Sequence, residues 1–197
     1  LEYYKKCIEL SFPWEKKPQF VLGSNFQFKE DYMHDVLKLS TITTVKRATR
    51  AASEVTRMKN PKVSELIYPL MQALDEEYLN VDIQLGGIDQ RHILALAREI
   101  LPLISYRQRV EVMTSLIVSL KGPGIKMSAT TPESSIKVYE SEESIRKKIA
   151  NAYCPTGIAK DNPILQITRD IIFSLNNKFK VVRDKKFGRD IEFMTYS

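Results

Sequence analysis

Apolar residues recur along most of the chain every three to four positions, a spacing that places them on one face of an α-helix. Asn60 and Asn162 each precede a proline, an arrangement typical of the capped first turn of a helix. No Gly or Pro interrupts the pattern between residues 30 and 57, so one long helix is expected there. The predicted helices span residues 2–12, 30–57, 61–79, 89–101, 141–153 and 163–175.

Short apolar runs bounded by turn residues predict strands between some of these helices. They span residues 20–24, 81–85 and 112–118, and the alternating pattern of residues 178–195 predicts a hairpin. Strands that alternate with helices predict an α/β fold with a parallel sheet. Ligands of such sheets bind beyond the carboxyl ends of the strands. Residues 86–90 and the loop 122–135 are therefore the first places to look for a site.

The composition adds a basic balance and little else. Lys and Arg outnumber Asp and Glu by 30 to 24, which gives a net charge of +6. This surplus favours a polyanionic partner such as nucleic acid, although many basic domains have no such partner. Cys7 and Cys154 stand in no paired motif, so neither a disulfide framework nor a metal site is predicted. We expect a reducing, cytoplasmic setting and no membrane-spanning or secretory segment.

Three polar residues share one face of the helix predicted over residues 61–79. Tyr68, Gln72 and Asp75 stand at i, i+4 and i+7. Together they offer donors and acceptors in a row, which a small polar ligand would need. The same spacing also fits a solvated helix face, and spacing by itself does not separate the two interpretations.

Two glycine-containing segments could hold phosphate or ribose groups. Gly86 and Gly87 end a predicted strand, and Asp89 is expected to cap the helix that follows, where free N–H groups would be available to a ligand. The loop 122–131 presents Lys126 among hydroxyl groups, a point charge suited to phosphate. The alternatives are a tight turn at the glycines and an ordinary exposed lysine.

These segments, taken in order, resemble the tyrosyl-tRNA synthetases of archaeal and eukaryotic type, which are class I aminoacyl-tRNA synthetases. Lys-Met-Ser-Ala-Thr at residues 126–130 resembles the mobile KMSKS loop of class I synthetases. Residues 68–75 and 86–91 resemble the amino-acid pocket of the tyrosyl enzymes, and residues 152–163 resemble the segment after the loop in the archaeal branch. The resemblance implies the second half of a Rossmann-like catalytic domain with a helical connective insertion.

The resemblance also implies roles for the residues of the amino-acid pocket. Tyr68, Gln72 and Gln90 would hold the ammonium and carboxyl groups of tyrosine. Asp75 would accept a hydrogen bond from its phenol. The implied reaction joins tyrosine to ATP, supplied with Mg²⁺, and then transfers the tyrosyl group to tRNA(Tyr).

Further implied roles concern the nucleotide. Gly87 and Asp89 would approach the ribose of the adenylate. Lys126 would be catalytic, stabilising charge on the leaving pyrophosphate, and Met127 and Ser128 would help to bind ATP. No permanent cofactor and no protein-bound metal are implied.

Arg50 and Arg91 match positions that read the first base pair of the tRNA acceptor end.

The resemblance divides the chain into a connective insertion with a dimer helix (about 26–60), an amino-acid and adenylate pocket (61–125), and the KMSKS-type loop with the following helices (126–197). A homodimer is expected through the insertion, whose helix carries apolar residues in excess of what a short domain needs. These are Met33, Val36, Leu37 and Leu39.

The chain departs from the family pattern in two respects. The family uses a His-x-Gly-His motif, whereas the only histidines here are His34 and His92. Ala129 and Thr130 also replace the usual second half of the KMSKS sequence. Three interpretations follow: part of an active tyrosine–tRNA ligase, a non-catalytic paralogue that binds tRNA or forms dimers, or a tryptophanyl-tRNA synthetase, against which Asp75 argues.

Overall fold

The computed structural model describes residues 1–53, 60–125, 127 and 131–196. The chain divides into two compact units: a central unit, Pro18–Leu116, and a terminal unit, Leu1–Lys17 with Ile117–Ser197. The fold mixes α-helices with short strands, as the sequence pattern predicts. The helices are α1 (Glu2–Ser11), α2 (Glu30–Ile42), α3 (Val45–Ala52), α4 (Val63–Tyr78), α5 (Arg91–Ile100), α6 (Glu142–Ala150), α7 (Pro163–Ile167) and α8 (Phe173–Leu175). The strands are β1 (Ile83–Gly87), β2 (Val110–Thr114), β3 (Phe179–Val181) and β4 (Ile191–Phe193).

The strands of the central unit form a parallel pair. Their register runs from Ile83 beside Val110 to Gly87 beside Thr114. Because α5 lies between β1 and β2 in the sequence, the three elements make a β–α–β unit, the building block of Rossmann-like folds. Both strands begin and end a few residues away from the predicted positions. Gly86 and Gly87 consequently belong to β1 itself and end it at the carboxyl edge of the pair.

One face of each helix in the central unit supplies its hydrophobic core. Tyr32 and Leu39 on α2, Leu74 on α4, and Ile93 and Ile100 on α5 are completely buried. Side chains of this size stabilise a fold by roughly 1.5–3 kcal/mol each when they are fully buried. The core therefore holds α4 against α2 and α5. This packing also determines the direction in which the opposite face of α4 points.

The single helix predicted over residues 30–57 is wrong: the structure has two helices, and residues 54–59 lie outside the described ranges. α2 ends at Ile42, and Thr43 is extended, with φ −105° and ψ 115°. Thr44 then caps α3, and its hydroxyl oxygen accepts a hydrogen bond from the Arg47 N–H at 3.3 Å. Consecutive β-branched residues lose side-chain freedom in a helix, and a threonine hydroxyl caps backbone groups well. The break therefore needs neither Gly nor Pro.

The strand predicted over residues 20–24 is also wrong. The backbone turns there, because the N–H of Asn25 donates to the carbonyl of Leu22 at 2.9 Å and that of Phe26 to Gly23 at 3.0 Å. Val21 and Leu22 are exposed. Within the described ranges no strand pairs with this segment.

The ends of α5 differ from the prediction. Asp89 does not cap this helix: it lies in a 3₁₀ turn, Ile88–Gln90, that leads directly into α5 without a side-chain cap. α5 ends at Ile100, one residue before the predicted end, and Pro102 follows it as expected. It lies inside a second 3₁₀ turn, Leu101–Ile104, where its missing N–H is tolerated because it stands in the first turn. The preceding helix, α4, begins at Val63, two residues after the predicted start at residue 61.

The capping residues predicted in the terminal unit are confirmed. The Ser141 hydroxyl oxygen accepts from the Ser144 N–H at 3.2 Å and begins α6. Asn162 Oδ1 accepts from two backbone N–H groups, those of Ile164 and Leu165, and begins α7. A π-helical turn joins α7 to α8, so the predicted helix over 163–175 is present with one irregular turn. β3 and β4 pair antiparallel as the predicted hairpin.

The apolar residues expected to form a dimer contact on α2 have two different positions. Val36 and Leu39 are buried in the core of the central unit, so they are unavailable to a partner. Met33 and Leu37 remain exposed, the latter to 61%. The described helices include none that is both long enough and apolar enough to cross a bilayer.

Candidate functional site

A cavity of about 570 Å³ lies beside α4 and β1 in the central unit. This volume falls in the range of small-molecule sites. Its walls combine polar side chains from α4 with the end of β1 and the start of α5. The lining residues are Gln27, Tyr68, Met71, Gln72, Asp75, Gln84, Leu85, Gly86, Gln90 and Leu94.

The polar face predicted for α4 points into this cavity. Tyr68, Gln72 and Asp75 all line it, and Gln90 joins them from the turn before α5. Leu74 and Ala73, on the other side of the helix, are completely buried in the core. This face of α4 is therefore one polar wall of a concave cavity.

Two glutamine side chains of this wall are joined by a hydrogen bond. Gln72 Nε2 donates to Gln90 Oε1 at 3.1 Å, and Gln90 Nε2 donates to Asp89 Oδ2 at 3.3 Å. The amide oxygen of Gln72 is buried and has no hydrogen-bond partner within the described ranges. A buried acceptor without a partner is uncommon and unfavourable.

Asp75 also lines the cavity, and it already receives hydrogen bonds from the protein. Tyr32 donates its hydroxyl to Asp75 Oδ1 at 2.8 Å, and Gln27 Nε2 lies 2.9 Å from Oδ1 and 3.2 Å from Oδ2. Burial, followed by the hydrogen bond to Asp75, raises the pKa of Tyr32 above its usual range. Tyr32 therefore stays protonated and remains a donor to this carboxylate.

Sequence reasoning missed Gln27 and Tyr32. They are 48 and 43 residues away from Asp75 along the chain, and no local motif connects them to it. One signal was present for Tyr32: it shares the periodic face of α2 with Val36 and Leu39, which are buried. A buried tyrosine generally finds a hydrogen-bond partner for its hydroxyl, but the pattern did not say which.

The two glycines of β1 are required by packing inside the protein. A Cβ atom on Gly87 would lie 2.5 Å from Asp89 Oδ1, and one on Gly86 would lie 3.2 Å from the Cβ of Gln90. Of the two, only Gly86 lines the cavity. The absent side chains therefore let the turn that follows β1 approach, together with Leu94 beside Gly86 and Leu116 beside Gly87.

A second, smaller cavity of about 190 Å³ lies beside α3 and α5. Arg47, Arg50 and His92 line it, and Arg47 is paired with Glu99 at 2.5 Å. His92 Nδ1 is buried without a hydrogen-bond partner in the part of the chain that is described. Arg91 is exposed at the start of α5, next to His92. The two arginines predicted to contact tRNA thus lie in one unit, on helices that pack together.

The residues predicted for the KMSKS-type loop are mostly outside the described ranges. Lys126 and Ser128 lie outside the described ranges, and Met127 is exposed in the terminal unit. Among the described residues, no group of three or more His, Cys, Asp or Glu side chains could hold a metal ion.

Comparison with known proteins decides the family. The model for tRNA synthetases class I (W and Y) matches residues 2–184. The chain belongs to this family. The tyrosine–tRNA ligase of Archaeoglobus fulgidus is 46% identical over 196 residues, covering 99% of this chain and 60% of the relative. The cytoplasmic tyrosine–tRNA ligase of Saccharomyces cerevisiae is 38% identical, covering 99% of this chain and 52% of the relative.

Solved structures of synthetases separate the tyrosyl from the tryptophanyl branch. The Archaeoglobus fulgidus tyrosyl-tRNA synthetase complexed with L-tyrosine has a TM-score of 0.90 at 44% identity, covering 99% of this chain and 60% of that chain. The tryptophanyl-tRNA synthetase of Giardia lamblia has a TM-score of 0.63 at 15% identity, covering 85% of this chain and 52% of that chain. The latter shows a shared fold alone. The resemblance to the archaeal and eukaryotic tyrosyl type is therefore confirmed, over a chain that spans 60% of the Archaeoglobus relative.

Proposed function

We propose that the protein to which this chain belongs is a tyrosine–tRNA ligase, which activates tyrosine with ATP and transfers it to tRNA(Tyr). One observation carries this proposal: a single cavity is lined by Tyr68, Gln72, Asp75 and Gln90. Its polar groups include the amides of Gln72 and Gln90 and the carboxylate of Asp75. These groups suit an amino acid that carries an ammonium group and a hydroxyl.

In this proposal the pocket binds tyrosine in one orientation. The amide oxygen of Gln72 accepts from the ammonium group, with Tyr68 and Gln90 beside it. Asp75 accepts from the phenol. Phenylalanine would leave this carboxylate without its ligand donor, and a partly buried group that loses a partner destabilises the complex. Tryptophan has an N–H that could donate to Asp75, so it is the more demanding competitor.

The nucleotide and the chemistry involve other residues. ATP, with Mg²⁺ as its counter-ion, is a substrate that Gly87, Asp89 and the loop 126–128 would contact. Lys126 would stabilise the charge that develops on pyrophosphate as the tyrosine carboxylate attacks the α-phosphate. The protein forms no bond itself in this scheme, since it positions the reactants and stabilises charge.

The remaining elements of the proposal concern partners and setting. Arg50 and Arg91, both exposed, would contact the acceptor end of the tRNA. A homodimer would form through α2, where Leu37 remains exposed. A cytoplasmic location is supported by the Saccharomyces cerevisiae relative, which is named a cytoplasmic ligase.

Tyrosine-dependent ATP–pyrophosphate exchange tests the proposal. We expect negligible exchange by the 197-residue chain alone, because it contains no His-x-Gly-His motif and the loss of even one preorganised donor lowers a rate by roughly 10²–10³. Fusion to the remaining part of the Archaeoglobus fulgidus ligase should give exchange with tyrosine and much less with phenylalanine or tryptophan. Asp75→Ala in the fusion should remove this preference. A fusion that is folded and inactive, or that prefers tryptophan, would contradict the proposal.

A further inference from the structure

The carboxylate of Asp75 is held by two donors that do not belong to the predicted set of tyrosine-binding residues. Oδ1 lies 2.8 Å from the Tyr32 hydroxyl and 2.9 Å from Gln27 Nε2. Within the described ranges, Oδ2 has a single hydrogen-bond contact, to the same Gln27 amide at 3.2 Å. A carboxylate oxygen has two acceptor positions, so Oδ1 is fully used within the protein and Oδ2 keeps a position for a further donor.

The geometry of Tyr32 restricts where its single hydroxyl hydrogen can go. The hydroxyl also lies 2.8 Å from the carbonyl oxygen of Met71, one helical turn before Asp75. Both neighbours are acceptors, and the charged one forms the stronger hydrogen bond. The hydrogen therefore goes to Asp75, and the Met71 carbonyl oxygen, which is also an acceptor, does not receive it at the same time.

The ring of Tyr32 cannot swing away from this position. Tyr32 is completely buried, with its ring edge-on to that of Tyr78 at 4.8 Å and to that of Phe26 at 5.7 Å. Close packing of aromatic rings in a core leaves little room for a second rotamer. Tyr32 does not line the cavity, so it acts on a ligand through its neighbours. Of the two cavity-lining residues close to its hydroxyl, Met71 and Asp75, only Asp75 offers a carboxylate.

We propose that Tyr32, assisted by Gln27, is a positioning residue that sets the selectivity of the pocket for tyrosine by directing Asp75 Oδ2 at the ligand phenol. This inference rests on the proposed function, since it assumes that tyrosine occupies the cavity. Without the Tyr32 hydroxyl, Asp75 Oδ1 would have room for the ligand as well, and the carboxylate could rotate. A mobile acceptor distinguishes a phenol from a benzene ring less well than a fixed one.

The chain offers a matched control for the loss of a buried tyrosine hydroxyl. Tyr78 donates its hydroxyl to Asp35 Oδ2 at 2.9 Å, and Asp35 also accepts from Tyr106 and from Lys38. Tyr78 packs on Tyr32, and Asp35 is a buried carboxylate on α2. Asp35 and Tyr106 do not line the tyrosine cavity. Tyr78→Phe therefore removes the same group from the same core without touching Asp75.

The test compares the dissociation constants of L-tyrosine and L-phenylalanine, measured by NMR titration of the fusion to the remaining part of the Archaeoglobus fulgidus ligase and of its variants. For Tyr32→Phe we expect the ratio of the phenylalanine constant to the tyrosine constant to fall by about tenfold. This is the usual effect of one hydrogen bond to a charged group. The affinity for phenylalanine should stay close to that of the parent. Tyr78→Phe should keep the parent ratio.

Several outcomes would overturn the inference. If the parent itself does not prefer tyrosine, the proposed function fails and this inference fails with it. If the parent prefers tyrosine and Tyr32→Phe keeps that preference, or if Tyr78→Phe loses as much, only the role of Tyr32 is contradicted. If Tyr32→Phe does not fold, the same ratio is measured for Gln27→Met, because Gln27 donates to the same carboxylate from the cavity side. An unchanged ratio in that variant would contradict the inference.

Discussion

The buried carboxyl group of Glu76 predicts an unusual dependence of stability on pH. Glu76 lies on α4 and is only 1% exposed, and neither of its oxygens has a hydrogen-bond partner in the described part of the chain. Burial, and then the nearby charge of Glu111, raise its pKa to about 7, against the opposing effect of Arg109 and Arg98. Glu111 also has a raised pKa, caused first by burial.

The sign of the effect follows from the raised pKa. Between pH 4.5 and about 7, folded Glu76 keeps a proton that the unfolded chain has lost. Its stabilising contribution is therefore present at low pH and is lost as the pH rises through this window. At about 1.4 kcal/mol for each pKa unit, the loss amounts to about 3 kcal/mol. Exposed carboxylates should not behave in this way.

Urea denaturation followed by circular dichroism, at a series of pH values, measures this loss. We compare the parent with Glu76→Gln, which cannot ionise, and with Glu99→Gln, which alters an exposed carboxylate on α5. The unfolding free energy of the parent should fall by about 3 kcal/mol relative to that of Glu76→Gln across the window. Glu99→Gln should follow the parent. Parallel curves for the parent and Glu76→Gln would refute the reasoning.

Three other predictions concern a helix cap, tRNA binding and assembly. Asn162→Ala should lower the unfolding free energy of the terminal unit by about 1–2 kcal/mol, seen in urea denaturation through Trp14 of the same unit; an unchanged midpoint would contradict the cap. Arg50→Ala with Arg91→Ala should weaken binding of an acceptor-stem RNA and flatten its salt dependence in filter binding; equal slopes would contradict the contact. Leu37→Glu should convert a dimer into a monomer in sedimentation velocity, and a monomeric parent at about tens of micromolar would contradict the dimer.

Local signals in the sequence predicted most elements of the fold. The caps Ser141 and Asn162 act through their own side chains within three residues, so their effect can be read from the sequence. The break between α2 and α3 could not be predicted by searching for Gly and Pro. It depends on the competition between helix continuation and capping by Thr44, and tertiary packing decides such a competition.

The candidate site was predictable only as far as one helix extends. Helical spacing placed Tyr68, Gln72 and Asp75 together, because residues three to four apart share a face. It could not find Tyr32 or Gln27, since their contacts with Asp75 are made by the packing of α2 and the preceding turn on α4. A hydrogen bond between residues so distant in sequence leaves no local pattern.

The most direct test of the account is a crystal structure of the full chain with L-tyrosine bound. We predict that tyrosine lies in the cavity beside α4, with its phenol oxygen within hydrogen-bonding distance of Asp75 Oδ2. Its ammonium group should lie next to the free amide oxygen of Gln72. Tyrosine bound in the reverse orientation, or at another place on the chain, would contradict the account.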